Sequence, residues 1–496
     1  MHESKPPNGG FYRVYENAGI SLPYIFRYIY NYTQRGNDMS AEKYVGDKQF
    51  YSDVCRLAIP SMLQQLLSSA MGMVDTMMVS AIGMVSPVGV ASQLGNICSC
   101  ISFGVMEGTG IYASQFYGAD DRKNLQRTFG LSIILSLIVG FAFFGLIAIW
   151  CVPVIEFYAR DPEVIRYAKI YLDLVKYSFP LNTCALAFNY FYRCIHKTNV
   201  SMWISTTSMA TNAIVNYILI YGKLGFSPMG VAGAAWGTIA SQVVALGLYY
   251  GYSVISKAAF IGSPRIMFDI SRDFFNKVMV RTYPTIANET LFGFGTSLYI
   301  KAYGLLGTKV TDSYYVANTI TNMFFSVCNG LSVSGSMLLG AELGKGDVRK
   351  ATMESRWFLY LGFALAVFTG TIVIGVSQPL VSLFGLTNPE IIAMSVALVR
   401  VSAFRIALRM IVVVIFSSLR AGGDSKMLMV LDCGIVWLVG IPLIYGMISL
   451  LHMQNFPLIY FLAQFELVAR IIIGMRRFNS NRWAVNLTGE IATAQN

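Results

Sequence analysis

IPSMLQQLLSSAMGMVDTMMVSAI, residues 59–82, carries a single charged side chain, the carboxylate of Asp75. The run is long enough to cross the hydrocarbon core of a bilayer as a helix, with Asp75 well inside it. An acid at that depth is costly and marks an ion path, a proton relay or a substrate site by default. The fold follows from asking how many such runs the chain contains.

Of the 496 residues, 55% are hydrophobic and only 13% charged, and mean hydropathy is +0.54. A soluble domain carries roughly twice that share of charge, so the chain is an all-α polytopic membrane protein. Runs of about twenty apolar residues predict twelve transmembrane helices, at 57–81, 88–117, 128–152, 165–192, 200–222, 230–255, 280–305, 313–341, 353–377, 391–418, 427–449 and 456–474. No stretch alternates as a β-barrel strand would. The net charge of +11 is explained by topology. Arg122, Lys123, Arg193, Lys197, Arg265, Lys345, Arg349, Arg420 and Lys426 follow even-numbered spans, whereas the opposite loops offer little beyond Arg160, Arg166, Lys223 and Lys309. The positive-inside bias places both termini in the cytoplasm of a cell (inner or plasma) membrane protein and gives no reason to expect nucleic acid as a partner. Eight scattered cysteines without a C-x-x-C pair read as small hydrophobes. Residues 1–46 form a polar tail lacking the apolar core of a signal peptide, and Met39 is an alternative start within it.

The chain resembles itself at an offset near 226. Val90-Ala91 answers Val316-Ala317, Tyr117-Gly118-Ala119-Asp120-Asp121 answers Leu343-Gly344-Lys345-Gly346-Asp347, and Tyr192 to Thr198 answers Leu419 to Ser425, while Pro60 answers Pro284 two residues short of that offset. Six spans per half is an even number, so the halves are parallel repeats, with a central cavity between them near the midplane. The expected organisation is a tail at 1–46, an N-lobe of helices 1–6 at 47–256, a cytoplasmic linker at 257–279, a C-lobe of helices 7–12 at 280–476, and a cytoplasmic tail at 477–496.

Duplication alone also fits the major facilitator superfamily, but further motifs point elsewhere. Val74-Asp75-Thr76, Gln115-Phe116-Tyr117-Gly118-Ala119, Asn212-Ala213-Ile214-Val215-Asn216-Tyr217, Gly230-Val231-Ala232-Gly233-Ala234-Ala235-Trp236-Gly237-Thr238 and Leu419-Arg420-Ala421-Gly422-Gly423-Asp424 stand in order along the chain. In order and spacing they resemble the multidrug and toxic compound extrusion (MATE) family over about residues 50–487. The resemblance implies an antiporter, not an enzyme, that exports drug-like or toxic organic compounds, mainly cations, in exchange for inward H+ or Na+. It implies Asp75 as the coupling site together with residues of spans 5 and 6.

The residues themselves suit that role. Asn212 and Asn216, four apart, share one helical face, and Thr238 adds a hydroxyl just inside the next helix. One carboxylate with several neutral oxygens can hold a proton or a hard monovalent cation, so Asp75, Asn212 and Asn216 are the candidate Na+ ligands; the bland alternative is interhelical glue. Burial makes a carboxyl's proton affinity depend on how wet its pocket is, which would couple a proton to a shape change. Pro60, fifteen residues earlier, is a hinge candidate, or else a static kink or helix start.

Glu289 on span 7 matches an acid the family uses in its second half; its repeat partner is Gln65. Span 10 departs from the pattern, with Arg409 where some relatives carry an acid and Arg405 one turn earlier. Glu289 or Asp432 on span 11 is the expected partner of these arginines, in a structural network or beside a site for an anionic substrate group. Glu107 is either a paired acid or a cytoplasmic proton port, and Asp173 and Lys176, three apart, are expected to neutralise each other. Fifteen residues beyond Pro284 the second half has Tyr299 rather than an acid, so coupling is expected to be asymmetric.

Other classes fit less well. Gly340 to Gly346 has neither the spacing nor the hydroxyl of a nucleotide-binding loop, and His2, His196 and His452 are peripheral. A related flippase for lipid-linked precursors or polysaccharides, whose cavity tends to carry arginines, is the alternative. The expected partners are small organic substrates and the lipid bilayer, acting on a monomer with no cofactor beyond the coupling ion.

Overall fold

A computed structural model of the chain describes residues 46–158, 161–384 and 388–489. Nearly all of the polar tail with Met39, the loop residue Arg160, and residues 490–496 lie outside the described residues. Among the described residues the structure is helical throughout, without strands. The first half comprises α1 (Lys48–Ser80), α2 (Val85–Gly118), α3 (Arg122–Tyr158), a fourth rod broken into α4 (Pro162–Val175) and α5 (Ser178–Cys194), α6 (Thr198–Tyr221) and α7 (Val231–Ile255). After the short α8 (Pro264–Met267) come α9 (Arg272–Gly304), α10 (Thr308–Gly344), α11 (Val348–Ser382), α12 (Pro389–Ala421), α13 (Ser425–Leu450) and α14 (Phe456–Asn479). With α4 and α5 taken together and α8 set aside, these are twelve rods at the expected places.

Eight of the rods are long and apolar enough to cross a membrane by length and composition. The other four are the broken α4/α5 pair, α6 with its asparagines, α9 with Glu289 and α12 with its arginines. A break leaves the first of these in two short pieces, and amides, an acid or arginines interrupt the other three; charged helices of this kind are tolerable in lipid only with protein or water on one side.

Turn chemistry repeats as faithfully as the helices do. Asp161 caps α4 by accepting from the Glu163 N–H, with Pro162 at the first helical position, and Asn388 does the same for α12 through Glu390, with Pro389. Asp120 (φ 53°) and His196 (φ 59°) hold the left-handed turns that Gly346 (φ 86°) and Gly423 (φ 75°) hold in the second half. Asp and His enter that region more readily than most side chains do.

Helix interiors show where the chain bends. Pro60 lies inside α1, twelve residues after its start at Lys48, so it is not a helix start. An actual backbone break occurs in α3, where Trp150 leaves helical geometry (φ −121°, ψ 32°) three residues before Pro153. The α13 rod passes through π-helical stretches at Val430–Gly434, Val436–Gly440 and Gly446–Leu450.

The halves meet where α2 crosses α10. A β-carbon added at Gly118 would lie 1.9 Å from the Ala341 carbonyl oxygen, and one at Gly344 would lie 1.9 Å from the Gln115 carbonyl oxygen. These two contacts are repeat images of one another, so the crossing lies on the pseudo-symmetry axis. Small residues let membrane helices approach this closely. Gly104 and Gly108 on α2 do the same against Ile286 and Thr282 of α9, and Gly330 on α10 against Met62 of α1. The Thr285 hydroxyl donates to the Gly104 carbonyl at 2.7 Å, and Tyr112 donates to that of Lys277 at 2.9 Å. All these contacts lie toward the end that bears the basic loops. Toward the other end Met73 and Met77 on α1 and Tyr315 and Met323 on α10 are exposed, so the halves join at one end and stand open at the other.

Residues 480–489 seal the joined end. Gln115 donates to the carbonyls of Ala421 (2.8 Å) and Val485 (3.1 Å) and accepts from the Leu487 N–H (2.7 Å). Trp483 and Leu487 are fully buried there. The linker after α7 lies along α3: Gln126 donates to the Ile261 carbonyl at 3.1 Å, and Arg127 pairs with Asp269.

Gly118→Ala or Gly344→Ala should lower thermal stability in detergent by about 1–3 kcal/mol, the usual cost of overpacking. Gly145→Ala, where nothing lies within 4 Å, should be neutral or stabilise by up to about 1 kcal/mol through helix propensity. Equal melting temperatures for all three variants would contradict the crossing.

The Arg127 guanidinium holds the exposed Asp269 carboxyl below the usual carboxylate range. A depressed folded value adds stability above the unfolded pKa and loses it as pH falls. Asp269→Asn should therefore melt lower than the native protein at neutral pH. The gap should close as pH drops below about 4, where carboxyls protonate; a gap that widens on acidification would be the wrong sign.

Candidate functional site

Asp75 sits half-buried on α1, five residues before that helix ends. Asn216 of α6 donates to its Oδ1 at 3.1 Å. With the Asn212 amide turned so that its nitrogen faces the acid, that nitrogen lies 2.9 and 3.1 Å from the two carboxylate oxygens, and its oxygen accepts from the Thr238 N–H at 3.3 Å. The structure thus brings Asp75, Asn212, Asn216 and Thr238 into one pocket. Two further residues complete it. Tyr171 on α4 lies beside Thr238, within electrostatic reach of Asp75. Gly237 leaves room for Asn216, since a β-carbon there would lie 1.9 Å from the Asn216 Oδ1.

The donor set is legible chemically. Two amide nitrogens solvate the carboxylate as an anion, so protonating it removes an acceptor from one of them. The Asn216 Oδ1 is buried with no protein partner; it faces Gly237 while the Nδ2 of the same amide faces the acid, so turning this amide would offer an ion a hard oxygen at the carboxylate. One amide rotation at Asn212 would add a second.

A second polar network lies deeper along α1. Gln64, rather than its neighbour Gln65, faces inward, donating to Ser205 at 2.9 Å and accepting from Arg193 at 2.9 Å. Asn189 donates to Ser205 (3.1 Å) and Tyr249 (2.8 Å) in the same group. Arg193, read from sequence as a loop cation, points back into the bundle.

In the second half the charges are organised differently from expectation. Asp432 does not pair with Arg405 or Arg409; Arg470 of α14 takes it at 2.5 Å and also holds Glu466 at 3.3 Å. The π-helical turn at Val430–Gly434 carries Asp432, and Asn288 donates to its Oδ2 at 3.2 Å while accepting from the Cys433 N–H at 3.2 Å. Glu289 receives a long 3.4 Å bond from Asn288 and has no arginine within ion-pair distance among the described residues. Arg405 instead donates to the Tyr460 hydroxyl at 3.0 Å, and both Arg405 and Arg409 stand over the Phe325 ring. Glu107 pairs across the halves with Arg420 at 2.7 Å, and Lys176 with Asp173 at 3.4 Å.

Tyr299, the repeat image of Asp75, donates its hydroxyl to Glu466. The second half therefore does hold an acid at this position, delivered by α14 instead of α9. Gly440 makes the space: a β-carbon there would meet the Tyr299 hydroxyl at 1.8 Å and Glu466 at 2.1 Å. Sequence reasoning missed Tyr171, Glu466 and Arg470. The Glu466/Arg470 spacing of one turn, inside an otherwise apolar run, was the signal available for the last two.

Comparison with known proteins gives a consistent picture. The family described as MatE matches residues 60–218 and 284–445. The uncharacterized transporter YisQ of Bacillus subtilis is 23% identical over 409 residues, covering 82% of this chain and 89% of that protein. The multidrug resistance protein PmpM of Pseudomonas aeruginosa is 24% identical over 413 residues, covering 80% and 83%. A solved outward-facing conformation of a multidrug resistance MATE family transporter superposes with a TM-score of 0.78 at 16% identity, covering 87% of this chain and 96% of that one.

Arg470→Met leaves two half-buried acids without their buried counter-charge and should cost about 3–5 kcal/mol. Adding Asp432→Asn and Glu466→Gln should recover most of the loss. A single variant as stable as the native protein, or a triple variant no better than the single, would show that Arg470 is not what compensates these acids.

Proposed function

The chain belongs to the MatE family of membrane transporters, and on that premise we propose that it exports small organic compounds, mainly cations, in exchange for inward protons or sodium ions. The observation that carries this reading is the Asp75 pocket. Its carboxylate is held by two asparagine amides from a second helix, beside a buried oxygen with no partner. The name of the Pseudomonas relative supports a drug-like substrate range. With both termini in the cytoplasm of a plasma-membrane protein, as the basic loops suggest, the halves join on the cytoplasmic side and open outward.

In this orientation Asp75 lies in the outer half of α1, in contact with the open side. A proton or cation arriving from outside occupies one oxygen of the carboxylate and displaces an asparagine amide hydrogen from it. That loosens α1 from α6. Pro60 lies about 22 Å down the helix from Asp75, where its missing hydrogen bond lets α1 bend as its outer half repacks. A pH difference of one unit supplies roughly 1.4 kcal/mol per proton, and each 100 mV roughly 2.3 kcal/mol per charge. Both suffice for modest accumulation without ATP. The flippase reading draws support from the unpaired Arg405 and Arg409, but it gives the Asp75 pocket nothing to do.

Efflux of a fluorescent cationic dye from proteoliposomes, under a sodium gradient and a pH gradient imposed separately, tests the proposal. Native protein should respond to at least one gradient. Asp75→Asn should lose about 10-fold or more of the driven rate, since each 1.4 kcal/mol of lost coupling is tenfold. Undiminished gradient-driven efflux by the variant would sink it.

A further inference from the structure

Among the described residues, two guanidinium groups in the second half have no acid within ion-pair distance. Arg405 and Arg409 lie one turn apart on α12, both half-buried. Both stand over one ring, Phe325 of α10, with 5.2 and 5.5 Å to its centroid. Arg405 donates at 3.0 Å to Tyr460, a neutral hydroxyl. Among the described residues no carboxylate oxygen comes within 4.0 Å of either arginine. Asp432 attracts Arg409 from beyond ion-pair distance but is itself engaged by Arg470, as is Glu466, and Glu107 is engaged by Arg420.

Like charges one turn apart repel, and arginines inside a membrane protein are expensive unless something neutralises them. A purely structural pair would draw its counter-charge from the protein. The ring face holds both guanidinium planes through cation–π attraction, and Tyr460 orients Arg405, so the pair is held in place with donors still unused. A planar guanidinium fork is the side chain best shaped for two oxygens of one anion.

We infer that Arg405 and Arg409 form a docking site for the anionic group of a substrate, a carboxylate, sulfonate or phosphate. The inference rests on the export reading above and deepens it. The second half recognises an acid on the transported molecule while the first half handles the coupling ion. Substrates then include amphoteric aromatic compounds, whose cationic centre satisfies the family preference and whose acid occupies the arginine pair.

The test uses two dyes with the same ring system and the same cationic charge: tetramethylrhodamine with a free carboxylate, and its methyl ester. Binding to the purified full-length protein is followed by fluorescence polarisation. A charge-assisted pair of hydrogen bonds should make the acid bind about 10-fold more tightly than the ester. Arg405→Gln with Arg409→Gln should bring the two affinities together, while Arg405→Lys with Arg409→Lys should keep part of the preference. Ester binding and the melting temperature report whether each variant is folded. Equal affinities in the native protein, no binding of the acid, or a preference that survives the glutamine pair would each overturn the site.

Competition separates the sources of the anion. Displacement of the acid dye by salicylate marks a solute carboxylate, displacement by phosphatidylglycerol in mixed micelles marks a lipid headgroup, and displacement by neither overturns the site. Gradient-driven efflux of the ester is read separately. Its absence alongside a clear acid preference would remove the export reading and leave the anion site standing, and the reverse pattern would do the opposite.

Discussion

The crossing of α2 and α10 is the contact on which the arrangement of the two halves depends. At Gly118 and Gly344 each helix touches the other's backbone, and the two contacts are images under the internal repeat. No side chain fits there, so the distance between the halves at this level is set by main chain alone. With that spacing fixed, α1 can rest on α10 near Gly330 and α2 on α9 near Gly104 and Gly108, and the remaining length of each helix is free to diverge. The open side, and the access of Asp75 to it, are consequences of this geometry.

Charge inside the bundle is distributed unevenly. The first-half pocket surrounds one acid with amides, a hydroxyl and a phenol, all of which keep their neutrality whatever binds. In and around the second half four arginines, Arg405, Arg409, Arg420 and Arg470, stand among Glu107, Glu289, Asp432 and Glu466. Arg420 and Arg470 are locked into ion pairs with three of those acids. Such pairs hold geometry at some energetic cost and respond little to solutes. Glu289, Arg405 and Arg409 are the groups left to respond.

Much of the fold was legible because apolar runs of bilayer length are long and unambiguous, and the caps and turns repeat with them. The rods that are broken or interrupted by polar groups proved the most informative, since α6, α9 and α12 carry Asn212, Asn216, Glu289 and both arginines that lack an ion pair. The site was legible where its residues share a helix or a known order, as Asn212 and Asn216 do. It was not legible where the partner comes from a distant helix. Tyr171 reads as one aromatic among many, and the choice of Arg470 over Arg409 for Asp432 depends on a π-helical turn in α13 that no sequence spacing announces. Gln64 and Gln65 make the same point on a smaller scale. Neighbouring positions differ by about 100° around a helix, and only packing decides which one enters the network.

The segment that holds Trp483 and Leu487 is bound to both halves at once. Gln115 on α2 joins it by two hydrogen bonds to the first half, while Arg477, just before it on α14, pairs with Asp424 at the head of α13 at 2.6 Å. Rocking the halves apart at this end would strip Gln115 of its partners and bring a buried indole into water. The segment is therefore a seam rather than a tail. Whatever pulls on it, a fused domain or a bound protein, pulls directly on the balance between the two faces of the transporter.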